Sequence, residues 1–271
     1  MALQFVTQLS RRAVIALSGP DWRDYLQGLI TQDVATLAAG EIRFGALLTP
    51  QGRVLYDLFA HGREDGCLID CEAKHRDALV SRLTMYRLRA KVTIAPDAAP
   101  VFALWGEGVA PEGWGRDPRL ADLGWRGIGA VAPAGTTRVD EAAYEAHRLA
   151  LGVPGPDDFG SEKAYPIEAD FDLLGGIDFR KGCFVGQETT SRMKRRGQIR
   201  NRMVPIAFEG DAPAFGTELL AGELRAGESL GAHGDRAIAL LRLDRLEAGP
   251  LTFGDGQSWR PLWPDWLERE G

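Results

Sequence analysis

Cysteine is scarce in this sequence: three thiols in 271 residues. A small, odd number in a chain this long excludes the disulfide framework of short secreted domains. Long apolar runs are missing as well, since no stretch approaches the ~18 residues of a membrane span. Met1 to Gly19 alternates apolar and polar residues, with Arg11-Arg12 inside it rather than ahead of an apolar core, so no secretory signal is expected. Nor is there a basic excess: 32 Lys and Arg stand against 38 Asp and Glu, a net charge of −6. These absences lead to the expectation of a cytoplasmic protein with no membrane partner.

What is present is enough apolar material for a sizeable core, 45% of residues. A chain of this length buries roughly 75% of its unfolded surface. Val14 to Leu17 reads as a strand, and Trp22, Tyr25, Leu26, Leu29 and Ile30 recur at helical spacing as a core stripe. Thr31-Gln32-Asp33 is expected to cap a second short helix. Thr49-Pro50-Gln51-Gly52 has the residues of a type I turn between two antiparallel strands. Ala73 to Leu88 patterns as an amphipathic helix, and strands are expected at 91–94, 101–105 and 127–132. Asp140 is a suitable N-cap for a helix reaching Leu151 and closed by Gly152. His147 on that helix reads as ordinary packing. Cys67 and Cys71 follow a Glu64-Asp65-Gly66 turn and are expected on a strand. There they share one face about 13 Å apart, at roughly 3.3 Å per residue, too far to bridge or to grip one ion.

One segment differs from the rest. From Arg180 to Arg202 there are eight Lys/Arg and one acid, Glu188, a local charge of +7, which leaves the remainder at −13. Gly182 and Gly186 bracket Cys183, and Gln187 to Arg196 is expected to be a helix ending at Gly197. Cys183 then lies just ahead of a helix N-terminus, beside Lys181, where a thiolate is favoured. The thiol is expected to face an open cavity. Glu168, Asp170 and Asp172 alternate with apolar residues ahead of this segment and are expected on a solvated edge, with acid–base work as the alternative. Past Arg202, short alternating runs punctuated by glycine have the pattern of a small antiparallel barrel.

Lys181-Gly182-Cys183-Phe184-Val185-Gly186-Gln187-Glu188 matches the K-G-C-[FY]-x-G-Q-E signature, and on it the chain resembles the YgfZ family. These are folate-binding relatives of the glycine-cleavage T-protein that assist iron–sulfur cluster assembly and repair. The resemblance extends to Gly19-Pro20-Asp21, Leu48 to Asp57, Leu88 to Val92, Arg148 to Pro154 and Pro166 to Asp170. It implies an α+β fold: a folate-binding region of antiparallel sheets and helices over residues 1–201, in two subdomains, and a C-terminal β-barrel over 202–271. It also implies tetrahydrofolate or a related folate as cofactor, with Asp57, Glu168, Gly182, Gln187, Glu188, Arg192 and Arg195 around it. Cys183 and Lys181 carry the chemistry, and Arg196 belongs to the same basic helix.

Two departures bear on the reaction. Where the T-protein has a pair of aspartates this chain reads Tyr56-Asp57. Where the T-protein's R-x-E-x-G element has a glutamate, the run Arg148 to Gly152 has Ala150, which offers a pterin no acceptor. Glycine cleavage is therefore not expected. The implied function is a folate-binding accessory factor for [4Fe–4S] assembly or repair, indirectly supporting tRNA modification. A conventional cluster needs four ligands, so Cys183 is expected to give one transient ligand while assembly proteins or client enzymes give the others. The alternative is a tetrahydrofolate-dependent aminomethyl or methyl transferase. A nucleic-acid surface is not expected from one basic helix with few aromatics.

Overall fold

The structure is a computed structural model that describes residues 3–109, 111–197 and 199–267, without the side chain of Arg196. The first part of the chain gives β1 (Gln4–Gln8), β2 (Arg12–Ser18), α1 (Trp22–Gln27), β3 (Ile42–Leu48), β4 (Val54–Arg63) and β5 (Gly66–Glu72). Next come α2 (Arg76–Arg87), β6 (Thr93–Asp97), β7 (Val101–Gly106), β8 (Gly115–Arg116), β9 (Trp125–Ile128) and β10 (Thr137–Arg138). Three helices follow, α3 (Glu141–Ala150), α4 (Pro156–Phe159) and α5 (Gln187–Arg196). The chain closes with β11 (Asn201–Phe208), β12 (Glu218–Ala221), β13 (Leu224–His233), β14 (Arg236–Arg242), β15 (Leu251–Phe253) and β16 (Trp259–Pro261). No helix among the described residues is long and apolar enough to cross a membrane.

Three sheets organise these elements, in the orders β3-β4-β5-β2-β6, β10-β1-β7-β9-β8 and β15-β12-β13-β14-β11-β16. All pairings are antiparallel except β1 with β10. Period-two alternation sorts the first sheet into two faces. Leu58 and Ala60 of β4, with Cys67, Ile69 and Cys71 of β5, pack against α1 and α2 in one core. Asp57 and Phe59 of β4 and Asp70 of β5 face the opposite way, where β9 and the segment before it supply Arg126 and Arg119. That polar layer between sheets is the setting of the cleft described below.

Several expected elements shift. Asp33 caps a turn, not a helix: its carboxylate accepts from Thr36 N–H and Oγ1, and the side-chain bonds of Gln27 to Val34 N–H and Asp33 hold the segment irregular. The strand expected at 127–132 lies at Trp125–Ile128, because Gly129 turns at φ 61°. β1 was not legible as a strand in the mild alternation of the N-terminus. The helix from Asp140 forms as expected, with Asp140 Oδ1 accepting from Ala143 N–H at 2.9 Å.

Asp170 and Asp172 are not on a solvated edge. Both carboxylates are buried against Arg202, the second residue of β11. Arg202 Nη1 donates to Asp170 Oδ1, Asp172 Oδ1 and Ile167 O, each at 3.0 Å, and Nη2 donates to Asp172 Oδ2 at 3.1 Å. The sequence pattern misled because the partner lies thirty residues on. Burial pushes the Asp170 carboxyl well up despite Arg202, and its Oδ2 has no hydrogen bond. Asp170→Asn should therefore change stability by less than about 1 kcal/mol, while Asp172→Asn, which breaks the two-pronged ion pair, should cost about 3 kcal/mol. Urea unfolding of the two variants side by side checks the difference.

Candidate functional site

The signature segment folds as a loop and then a helix, with bounds as expected: α5 spans Gln187–Arg196, entered at Gly186 (φ 78°) and left at Gly197 (φ 71°). Glu188 lies in its first turn, which suits the helix dipole. Gly186 is required by a close approach, since a Cβ there would meet Thr49 O at 2.6 Å. Gly52 fits the other side of the same contact, where a Cβ would sit 2.8 Å from Thr189 Cβ. The two glycines thus seat the start of α5 on the β3–β4 turn.

Lys181 fixes the loop from below. Its Nζ donates to three carbonyls, Gln27 O at 2.7 Å, Ile30 O at 2.6 Å and Gln32 O at 2.9 Å. Burial lowers its pKa to about 8, so at neutral pH it is still mainly an ammonium with three donors for three acceptors. Its role is to anchor the loop to the end of α1. Phe184 is buried beneath it, with Nζ 5.3 Å from the ring centroid.

Gly182 and Cys183, between these two anchors, are exposed, and a Cβ on Gly182 would meet nothing within 4 Å. Arg180 ahead of them, and Arg192, Lys194 and Arg195 on α5, are exposed cations, and Phe179 is 36% exposed. Lys194 is shared with the Asp172 carboxylate at 3.8 Å. The Arg196 side chain lies outside the described residues. Cys67 and Cys71 behave oppositely: both are buried on one face of β5, where burial pushes each thiol up to about 12. Cys183 is thus the one cysteine of the three that solvent reaches.

A cleft lies elsewhere, between the first two sheets and α3. Asp57 and Phe59 form its floor, and Arg12, Arg119, Tyr144 and Arg148 are among its walls. It holds about 510 Å3 counting its open mouth, but the room it leaves for the centre of a water-sized molecule is only about 50 Å3. Arg12 Nη1 donates to Asp57 Oδ2 at 2.8 Å and Arg12 Nε to Asp70 Oδ1 at 2.6 Å, while Arg126 grips the other oxygen of Asp70. Arg119 pairs with the buried Asp117 at 2.8 Å, and Arg119 and Arg126 both lie over the Phe59 ring. Five arginines line the cleft with five carboxylates, so it has no excess of positive charge to draw an anion.

The expected site residues therefore fall in separate places. Asp57 is in the cleft. Gly182, Cys183, Gln187, Glu188, Arg192 and Arg195 are on the signature loop and α5, and none of them lines the cleft. The thiol is exposed to solvent and does not line that hollow. Glu168 lines neither: its Oε2 accepts from Tyr165 N–H at 3.0 Å and its Oε1 from Asn201 Nδ2 at 3.1 Å, a structural brace. Ala150 is exposed at the end of α3. His147 packs as expected, with Nε2 2.8 Å from Asp122 O and its ring stacked on Trp105. Sequence reading missed Arg12, Asp70, Arg119 and Arg126, whose one local signal was a lone acid in the apolar run of β5.

Comparison with known proteins fits this architecture. Residues 200–269 match the family model described as CAF17, C-terminal beta-barrel domain. The crystal structure of glycine cleavage system aminomethyltransferase T from Bartonella henselae superposes with a TM-score of 0.77 over 99% of this chain and 87% of that one. At 16% identity that likeness shows the fold alone. The protein of Homo sapiens named iron-sulfur cluster assembly factor IBA57, mitochondrial, is 32% identical over 90% of this chain and 79% of its own length. Its namesake from Mus musculus is 31% identical over 96% of this chain and 84% of its own length. Both are named as mitochondrial, which overturns the expectation of a cytoplasmic protein. Free thiols speak for a reducing compartment and do not tell one such compartment from another. With nearly a third of the aligned residues identical to relatives of which it covers 79% and 84%, on an aminomethyltransferase-like fold that ends in a CAF17-type barrel, the chain belongs to the family of the iron–sulfur cluster assembly factor IBA57.

Proposed function

We propose that this protein serves iron–sulfur cluster assembly as a YgfZ-like factor that presents Cys183 as one transient ligand to a [4Fe–4S] cluster whose other ligands come from a partner. The observation that carries this reading is the contrast among the three thiols: Cys183 exposed on an anchored loop, Cys67 and Cys71 sealed in the core. A cluster needs about four ligands, and this chain offers one accessible sulfur. The exposed cations of the same segment, Arg180 and those of α5, suit an anionic cluster or the acidic surface that delivers one. Support of tRNA modification then follows indirectly, through iron–sulfur enzymes that carry it out.

A reduced folate is the second part of the proposal, and the cleft supports it by chemistry. A pterin edge presents both donors and acceptors, and the lining offers carboxylates, including Asp57 and Glu145, beside the guanidiniums of Arg119 and Arg126 and the ring of Phe59. The room of about 50 Å3 that it leaves for water-sized molecules falls short of the roughly 300 Å3 of an ordinary ligand site. Binding of a ring there requires the cleft to widen, which means parting the half-exposed ion pair of Arg11 and Asp157 that lines it. When bound, the folate would supply a one-carbon carrier next to Asp57. Aminomethyl or methyl transfer is the weaker reading, because Asp57 Oδ2 is already engaged by Arg12.

Titration of the purified protein with tetrahydrofolate, followed by fluorescence, tests this part. Asp57→Asn should weaken binding about tenfold, the loss of one charged hydrogen bond. Absence of saturable binding to the wild type would remove the folate and leave the thiol reading standing. Cluster transfer from a reconstituted donor to an apo client, with and without Cys183, tests the thiol separately.

A further inference from the structure

The C-terminal end of α2 carries an apolar knob for which the chain itself has no use. After Arg87 the backbone reverses through Leu88, at φ 47° and ψ −107°, and Ala90 N–H donates to Arg87 O at 2.8 Å. Those angles and that bond make a type II′ turn with Leu88 at its first central position, where a positive φ calls for glycine. A leucine held there is strained, and such strain persists where something else compensates it. Burial within the chain does not, because Leu88 is 89% exposed and Met85, one turn earlier, is 57% exposed.

The surroundings say what would cover them. Arg87, Arg89 and Lys91 are exposed next to the knob, and no acidic residue occurs between Ala78 and Pro96. The carboxylate recorded against this segment, Asp21 Oδ2, is occupied by Lys91 N–H at 2.7 Å. The patch is also coupled to the signature loop. Tyr25 Oη of α1 donates to Leu83 O of α2 at 2.5 Å, and two residues on, at the C-terminal end of α1, Gln27 O accepts from Lys181 Nζ. One short helix therefore braces both the knob and the thiol loop.

We propose that Leu88 and Met85, ringed by Arg87, Arg89 and Lys91, form a docking surface for an acidic protein partner in cluster assembly, with Leu88 entering an apolar pit on it. The membership of the family supplies the class of partner, and charge complementarity supplies its sign. Two apolar side chains fall short of the continuous apolar face with which a helix lies on a bilayer, which favours a protein over a lipid surface. The inference rests on the family's role in cluster assembly and not on Cys183.

The test uses cells lacking the gene, complemented with wild type, Leu88→Gly, Leu88→Met, the Arg87→Glu/Arg89→Glu pair and, as a control, Cys183→Ala. The readout is the activity of a [4Fe–4S] enzyme. Leu88→Gly should lower it at least about fivefold, the effect of losing a modest interface hot spot, and the charge-reversed pair should do the same, while Leu88→Met keeps it. The purified Leu88→Gly protein should melt no lower than wild type, and about 2 °C higher where the strain is fully relieved. Full activity of Leu88→Gly overturns the proposal, as does a fall in Tm of more than about 2 °C, which would mean that the leucine packs within the chain. Self-association in sedimentation, or binding to phosphatidylglycerol vesicles, that Leu88→Gly abolishes would assign the surface to a second copy or to lipid and equally overturn it. Failure of Cys183→Ala alone to impair the cells would sink the thiol reading and leave the docking surface intact.

Discussion

Replacing Cys183 by alanine should abolish support of iron–sulfur enzymes in cells and leave the protein as stable as before. Stability is spared because the side chain is exposed and the loop is held by Lys181 on one side and by the glycine contact of Gly186 with Thr49 on the other. Substitutions at such positions fall within about 0.5 kcal/mol. Function is lost because the other two thiols cannot substitute: both are buried and remain protonated, pushed up to about 12. The mirror experiment sharpens the expectation. Cys67→Ala and Cys71→Ala should each cost about 1–2 kcal/mol through the void left in the core, with enzyme support falling only as far as the folded population does. Thermal melts and enzyme activity, measured on all three variants, read both halves. Full in-cell activity of Cys183→Ala would take the thiol out of the mechanism.

The largest effect on stability is expected at Asp70. Its carboxylate is fully buried between Arg12 and Arg126, and Arg12 also donates to its backbone carbonyl at 2.9 Å. Asp70→Asn leaves two buried guanidiniums sharing Asp57 and Asp117, and removal of one partner from such a group costs about 3–5 kcal/mol. The same ion group sets an acid limit. Burial alone would raise the Asp70 carboxyl, but Arg12 and Arg126 outweigh it and hold it at about 2, below the ordinary 3.8. A folded-state value below the unfolded one means stabilisation complete above about pH 4 and lost as the pH falls through about 2. Urea midpoints for the wild type should therefore drop across that window, and those of Asp70→Asn should drop less. Parallel curves for the two proteins would show that the carboxylate is not the group being titrated.

The parts of the fold that follow local rules were legible in the sequence. The alternation of β5 placed Cys67 and Cys71 on one buried face, and Gly186 and Gly197 delimited α5, because period and turn chemistry are carried by neighbouring residues. The barrel-like alternation past Arg202 was visible for the same reason. What could not be read is what depends on residues far apart. Arg12, Asp70 and Arg126 meet across two sheets, and Asp170 and Asp172 find Arg202 from another element, so acids that look solvated in sequence are buried and paired in space. The signature fared in between: its loop and helix were foreseen, but its separation from the Asp57 cleft was not. A short motif says which residues are adjacent and nothing of where the hollow lies. Lys181 shows the same limit, since its three carbonyl acceptors lie 149 to 154 residues away in the chain and no local pattern announces them.

The grip of Arg202 on Asp170, Asp172 and the Ile167 carbonyl has a consequence for how this architecture can be rearranged. The arginine belongs to the opening strand of the terminal barrel, and its acceptors belong to the segment that leads into the cysteine loop. The barrel is therefore not a detachable appendage. A chimera that takes its barrel from a distant relative must bring a guanidinium to the same spot, or the buried acids of the segment that leads into the thiol loop lose the partner that holds them.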